Sequence, residues 1–354
     1  MDKRRKTLVL LSPVFNVYEQ ENWMPWQAVW VRTVNELFPE LKIVIVAFHF
    51  PAAEKKKIDW HGNDVYLLGG ALKKKWHTAL RWAQAWQLLK RISRKNDIAG
   101  ILSFFCSECA FIGHYFAKRH HLQHKIWVLG QDAKKDNKQV SRIHPAGEEL
   151  VCLSDFLRDE FYRNHNILPA HVVAVGANTS LFSGGTHHRD TDLLGAGSLT
   201  PLKQYDVFID VVKLVHDQLP AVKAVICGDG EERERLIQKI NTLGLGTNVS
   251  LPGYQPHEAT LSRMQRSKLF LHTSLYEGLG VVMLEALYAG AHVISFVKPL
   301  YAPIPNWHVV QTKEEMAAKA LWLLRDEATA FRPVLAYPVQ DAARGIAKLF
   351  GIES

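Results

Sequence analysis

Short apolar, β-branched runs alternate along this chain with longer stretches in which apolar residues recur every three or four positions. The first kind includes Thr7–Leu11, Lys42–Ala47, Val65–Leu68, Ile98–Phe104, Ile126–Leu129, Leu150–Leu153 and Val172–Val175. The second half repeats it at Leu193–Ala196, Ala221–Cys227, Asn248–Leu251, Leu269–His272 and His292–Phe296. Near-continuous apolar strands separated by helices predict parallel sheets covered on both faces. The helical period is clear in Phe208, Val211, Val212, Val215 and Leu219, and again in Leu236, Ile237, Ile240 and Leu243, where Gly244 ends the run. Thr312 followed by Glu315 forms a capping box that opens a helix through Leu324.

The segment Asn178–Asp190 breaks both periods. It is small, polar and Gly-containing, and it separates two α/β series. The expected organisation is therefore an N-terminal Rossmann-like domain over 1–177, a linker over 178–190 and a C-terminal domain over 191–337. A helix over 338–350 would pack back on the first domain. Two doubly wound α/β domains facing across a cleft place the default site outside the carboxyl ends of their strands.

Composition adds limits. At 47% hydrophobic and 22% charged, the 354 residues suit two ordinary cores. No apolar run reaches the roughly 18 residues that span a bilayer. The stretch from Met1 to Asn22 imitates a secretory signal, but Pro13 and the absence of a small-residue cleavage site favour a first strand. Cys106 and Cys109 form a lone CxxC, with Cys152 and Cys227 in apolar runs. Four buried thiols in a reducing cytoplasm is the expected reading. Residues 1–176 carry 26 Lys/Arg against 17 Asp/Glu, whereas the remainder is close to balanced. That asymmetry points to an anionic partner for the first half.

The chemistry concentrates between Leu269 and Phe296. An apolar strand ends near Thr273, a turn holds Glu277, Gly278 and Gly280, and a helix runs from about Gly280 to Tyr288. Glu277 and Glu285 are eight residues apart. Between them stand the amides of Gly278, Leu279, Gly280 and Val281 at the positive end of a helix, an arrangement that favours a phosphate group. Each carboxylate accepts only, and so suits a pair of sugar hydroxyls. One glutamate would hold a donor sugar, the helix end a diphosphate, and the other glutamate a ribose. The plain alternative is a solvated turn glutamate and a helix-surface glutamate. Against it, Glu285 lies among Met283, Leu284, Ala286 and Leu287, where an unpartnered carboxylate is costly.

The stretch Ser274–Ser295 resembles the E-x7-E signature of glycosyltransferase family 4, the glycosyl transferases group 1. Further pieces resemble the family in order: Gly195–Lys203, Val225–Arg233, Leu243–Gly253, Val151–Phe156 and Val175–Phe182. The resemblance implies the GT-B fold, a UDP- or GDP-sugar donor, retention at the anomeric carbon, and no bound metal or other cofactor. It assigns Glu277 to the donor sugar, Glu285 to the ribose and Lys203 to the diphosphate, with Gly228, Gly230 and Tyr254 lining the donor site. A fixed positive group stabilises charge on the leaving nucleotide. For Gly228 and Gly230 a tight turn is the plain alternative, and for Lys203 a solvated lysine.

Two departures stand out. Ser198 occupies the position of a usual arginine, so Lys203, the helix amides or Arg142 must do more. Leu129-Gly130-Gln131-Asp132 replaces a segment that often carries a histidine; Gln131 can donate a hydrogen bond, and Asp132 can accept a proton. The Gly-rich loop sometimes found after the first strand is missing as well. The only DxD, Asp190-Thr191-Asp192, precedes a strand and is expected to be solvated. His120, His121, His124, His187 and His188 fall in no recognisable metal-ligand spacing.

The first half also holds the charge runs Lys55–Lys57 and Lys73–Lys75. Trp76, Trp82 and Trp86 are interleaved with Arg81, Lys90, Arg91, Arg94 and Lys95. Such a helix either packs its aromatic face on a core or docks on an anionic membrane. No nucleic-acid motif accompanies it. The expectation is a cytoplasmic enzyme, peripheral to the membrane's inner face. It would transfer a sugar to a glycan or lipid-linked acceptor in cell-surface polysaccharide or lipopolysaccharide synthesis. A catalytically idle nucleotide-sugar-binding subunit and a GT-B sugar-nucleotide epimerase are the competing readings.

Overall fold

A computed structural model describes residues 5–18, 24–50, 56–69, 77–185 and 187–353. Lys55, Lys73–Lys75 and Trp76 lie outside them. The chain divides into two compact units, one of residues 1–175 and 339–354, the other of residues 176–338.

The first unit is built on strands β1 (Lys6–Val14), β2 (Lys42–Phe50), β3 (Lys56–Trp60), β4 (Asn63–Leu67), β5 (Asp97–Phe104), β6 (His124–Val128), β7 (Leu150–Cys152) and β8 (His171–Val172). Their order is β3-β4-β2-β1-β5-β6-β7-β8, and only the β3–β4 pair is antiparallel. Order therefore reverses between β1 and β5. Helices α1 (Pro25–Leu37), α2 (His77–Lys95), α3 (Glu108–His120), α4 (Lys138–Ile143) and α5 (Asp155–His165) cover the sheet, with a closing helix at Val339–Leu349. That last helix packs on α1, and the Phe350 ring fills the space above Gly100. Leu8–Leu11 and Ile43–Ala47 are fully buried, as the continuous apolar runs require.

The run containing Lys56 and Lys57 is an edge strand on which both lysines are exposed. It turns at His61 and Gly62, both at positive φ, which is the two-residue geometry whose twist matches a hairpin. Lys57 and Lys42 both pair with Asp64 of the neighbouring strand. Lysines on an edge strand also discourage pairing with other chains.

The second unit has strands β9 (Thr191–Ala196), β10 (Ala224–Cys227), β11 (Val249–Gly253), β12 (Ser267–His272), β13 (His292–Ser295) and β14 (Trp307–Val309), all parallel, in the order β11-β10-β9-β12-β13-β14. This is the doubly wound order, with its reversal between β9 and β12. Helices α6 (Tyr205–His216), α7 (Arg233–Thr242), α8 (His257–Gln265), α9 (Val281–Tyr288) and α10 (Lys313–Arg325) follow the strands, and the closing helix of the first unit is α11. Half of the expected capping box forms at α10: Thr312 Oγ1 accepts from the Glu315 amide at 3.1 Å, while Glu315 accepts from the amide of Gln311, the residue before the cap, instead of that of Thr312. β14 carries too short an apolar run to read from sequence.

Asn178–Asp190 belongs to the second unit and is bound to it. Arg189 donates to the carbonyls of Ser267 and Ala289, and Asp190 pairs with Arg266. Asp192 pairs with Lys268 at 2.8 Å. The two acids of the DxD therefore each pair with a separate cation of their own unit, Asp190 in a solvent-exposed pair and Asp192 in a half-buried one.

Candidate nucleotide-sugar site

In the second unit, β9 ends at Ala196 and the chain turns through Gly197 and Ser198 into a short 3-10 turn, Pro201–Lys203. Its neighbour β12 ends at His272, and the following loop enters α9. Because strand order reverses between these two strands, their connections leave to opposite faces of the sheet and open a crevice, across which Lys203 and Glu277 meet. Lys203 Nζ donates to Glu277 Oε2 at 2.6 Å, and Thr273 Oγ1 donates to the Lys203 carbonyl at 2.8 Å.

His272 stands behind this pair, 4% exposed. Its Nε2 lies 3.2 Å from the same carboxylate oxygen, off the line that a directed ring N–H bond requires. Burial opposes ionisation of Glu277, but the neighbouring imidazole and the Lys203 ammonium outweigh it and hold the carboxyl at about 2. Burial also pushes His272 below its usual value, so at neutral pH the trio is an ammonium, a carboxylate and an uncharged imidazole.

The helix that follows begins one residue later than the sequence pattern implies. Gly280 caps it in the left-handed conformation, φ 70°, with no side-chain cap. A Cβ there would lie 2.2 Å from Met283 Cε and 3.0 Å from Glu277 Cγ, so only glycine lets Glu277 sit beside the helix end. Gly278, Leu279 and Gly280 are buried, and Val281 is half-buried. The start of α9 and the Lys203–Glu277 pair are thus one local structure.

Glu285 sits in the second turn of α9, its side chain 13% exposed. Its Oε1 is 2.8 Å from Nε2 of His257, the first residue of α8. The bond to Glu285 raises the His257 pKa. The partner that a half-buried Glu285 demands is therefore present in the chain itself. Gly228 and Gly230 serve the meeting of two loops. A Cβ on Gly228 would lie 1.9 Å from the Gly197 carbonyl oxygen, and one on Gly230 would lie 2.5 Å from that of Leu199. Ser198 is exposed on the β9 loop, and Tyr254, 60% exposed, follows β11.

Gln131, Asp132 and Arg142 belong to the first unit, where they line a groove of about 830 Å³ together with Arg81, Glu108 and Lys138. Asp132 is buried. Its Oδ2 accepts from the Leu129 amide at 2.8 Å, while its own amide donates to the Leu129 carbonyl, so the side chain closes its own turn. Burial pushes its carboxyl up to about 7, against the opposing pull of the Leu129 and Cys106 amides. Gln131 and Arg142 are exposed.

On α2 the tryptophans are committed to the core. Trp82 packs on Phe111 and donates to Glu108 at 2.7 Å, Trp86 meets Phe116 edge-on, and Leu89 is buried. Arg81 is buried beside Glu108, whereas Lys90, Arg91, Arg94 and Lys95 are exposed. All four cysteines are buried free thiols, pushed up by burial.

His272 and His257 are the site residues the sequence reading passed over. His272 left a signal: a titratable residue closing an otherwise apolar strand just before the turn. His257 left none, since 28 residues separate it from Glu285.

Two doubly wound units of these topologies make the GT-B fold. Residues 178–332 match the family model described as glycosyl transferases group 1. The chain is 30% identical over 207 residues to the poly(ribitol-phosphate) alpha-N-acetylglucosaminyltransferase of Staphylococcus aureus, covering 56% of this chain and 41% of that protein. It is 29% identical over 178 residues to the 2-deoxystreptamine N-acetyl-D-glucosaminyltransferase of Niallia circulans, covering 49% and 42%. The chain thus spans about two fifths of the length of these relatives. The Anabaena protein HepE, solved in complex with UDP and glucose, superposes with a TM-score of 0.64 at 14% identity, over 98% of this chain and 95% of that one.

Proposed function

We propose that this chain is a retaining glycosyltransferase that moves a sugar from a nucleotide-diphosphate sugar, a UDP-sugar in the first instance, to a glycan or lipid-linked acceptor. The observation that carries the proposal is the juxtaposition of Lys203, Glu277 and the uncapped amino end of α9 at the strand-order reversal. The diphosphate would rest on the α9 amides, with Lys203 neutralising charge as the nucleotide leaves. Glu277, ionised across the physiological range, would accept hydrogen bonds from the donor sugar. Glu285, oriented by His257, would accept from the ribose. The donor's own phosphate would assist departure and take the acceptor's proton on the same face of the sugar, giving retention. Transfer would need no bound metal at this site.

The relatives named as N-acetylglucosaminyltransferases and the UDP complex of HepE favour UDP-GlcNAc as the first donor to try. The acceptor would be a cell-surface polymer or its lipid-linked precursor. Docking on an anionic membrane would use the exposed lysines and arginines of α2 without tryptophan anchors; among the described residues no helix is long and apolar enough to cross a membrane. Calorimetry with UDP and GDP, then UDP release from UDP-sugars with and without acceptor and with no Mg²⁺ or Mn²⁺ added, tests the reading. Saturable nucleotide binding and acceptor-dependent release support it. Binding with no turnover over a broad acceptor panel would favour the idle subunit that the Ser198 substitution suggests. A new epimer of UDP-GlcNAc would make it an epimerase. Absence of nucleotide binding would sink all three.

A further inference from the structure

We propose that the first unit carries a site for a divalent cation of Zn²⁺ type, held by His114 Nδ1, His124 Nδ1 and Glu149 Oε1. The three atoms come from three elements: α3, β6 and the single 3-10 turn Gly147–Glu149 that leads into β7. They lie within 4.8 Å of one another, with Nδ1 of His114 2.8 Å and Nδ1 of His124 3.4 Å from the same carboxylate oxygen. Ligand atoms about a tetrahedral Zn²⁺ stand roughly 3.3 Å apart, so a 4.8 Å separation closes on the ion by about 1.5 Å shared between two side chains. Two imidazoles and a carboxylate are a donor set that Zn²⁺ favours. None of these residues belongs to the Lys203–Glu277 site, and the proposal does not rest on the glycosyl-transfer reading.

The surrounding hydrogen bonds suit a metal. Ser103 Oγ lies 3.3 Å from the Cys109 carbonyl and 3.0 Å from Nε2 of His124, and its one proton serves one of them. Donated to the carbonyl, it leaves the oxygen to accept from Nε2. With the proton on Nε2, the Nδ1 of a neutral His124 is a bare lone pair aimed at the Glu149 carboxylate. Two acceptors facing each other inside the protein need a cation between them. A ring that ligates through one nitrogen and donates through the other is the common arrangement at metal sites. Glu149 is held likewise: its Oε2 accepts from the Ala146 amide at 2.9 Å.

The local sequence makes room for this. A Cβ on Gly113 would lie 2.7 Å from both His124 Nε2 and Ser103 Oγ, so the residue before His114 must be small for the rings to converge. On its outer side the cluster opens into a cavity of about 650 Å³, lined by Tyr115, Lys118 and Arg142 among others, from which water can complete the coordination. The ligands are ten and 25 residues apart in sequence, which is why no spacing announces them.

The test uses the full chain, stripped with chelator and dialysed, with Co²⁺ as the optical probe and Zn²⁺ as the competitor. Stoichiometric Co²⁺ binding with the intense visible bands of a four-coordinate site, displaced by Zn²⁺ and accompanied by a higher Tm, is expected. His114→Gln and Glu149→Gln, checked for folding by circular dichroism, should abolish the bands and the Tm rise. Ser103→Ala should weaken affinity about 10–100-fold while keeping the bands. If the stripped protein takes up no Co²⁺, the cluster is a protonated hydrogen-bond network, with Ser103 turned to donate to His124, and the proposal fails. It fails equally if folded His114→Gln and Glu149→Gln both bind as the parent does, since the ion then sits on other histidines.

Discussion

Two carboxyl groups, the half-buried Glu277 and the buried Asp132, one in each unit, lie at opposite ends of the charge scale. Glu277 is held at about 2 and Asp132 is pushed up to about 7. Burial acts on both in the same direction. The difference is what faces them. Glu277 has the Lys203 ammonium at 2.6 Å and an imidazole behind it, whereas Asp132 has only two backbone amides. At Asp132 the two amides do not offset the lost water; at Glu277 a full positive charge does. A half-buried acid beside a built-in cation stays ionised and able to accept hydrogen bonds. One folded onto its own turn holds that turn together.

The contrast can be broken at four points. The largest effect is expected from Lys203→Ala: turnover should fall roughly 10²–10³-fold, with nucleotide affinity changing far less. A comparable loss in affinity and turnover together would mean that the lysine holds the ground state. Next is Asp132→Asn. The folded pKa of Asp132 lies above its unfolded value, so its contribution to stability is present at low pH and lost as pH rises from about 4 to about 7. Relative to Asp132→Asn, the parent should lose about 2–4 kcal/mol over that window in urea melts. A flat difference would show that the acid is not buried protonated. Glu277 has the opposite sign, adding stability above about 4.5 that disappears as pH falls towards 2.

Gly280→Ala comes third. Strain at φ 70° and the clash with Met283 should cost about 1–3 kcal/mol and lower transfer by displacing Glu277. Unchanged activity in a destabilised but folded Gly280→Ala would separate the helix end from the chemistry. Smallest is Glu285→Ala, which should weaken UDP binding about tenfold by calorimetry, in line with one lost charged hydrogen bond. An equal loss in His257→Ala would make the imidazole a ligand contact rather than a support for Glu285.

Much of this contrast is legible in the sequence, for definable reasons. Apolar runs locate every strand except β3 and β14, because parallel strands buried on both faces leave such runs. The helical period is legible in about half the helices and not in α1, α3, α4, α5 or α8. The Glu277–Glu285 stretch is legible because its turn, glycine and helix are contiguous. Long-range relations are not. The Lys203–Glu277 contact spans 74 residues and depends on β9 lying beside β12. His257 against Glu285 and the His114–His124–Glu149 cluster are likewise products of topology. Charge misleads at Lys56 and Lys57, where it marks a protected sheet edge. On α2, basic and aromatic residues share one helix but serve different surroundings.

The return of α11 to the first unit has a consequence for biosynthesis. The Phe350 ring over Gly100 and the helix against α1 arrive only after the whole second unit has left the ribosome. The second unit can close its core as it emerges. The first unit, although translated earlier, must wait with that face uncovered. That face of the first unit therefore stays open until the last stretch of chain is made, so the unit completes its packing only after the second has been synthesised.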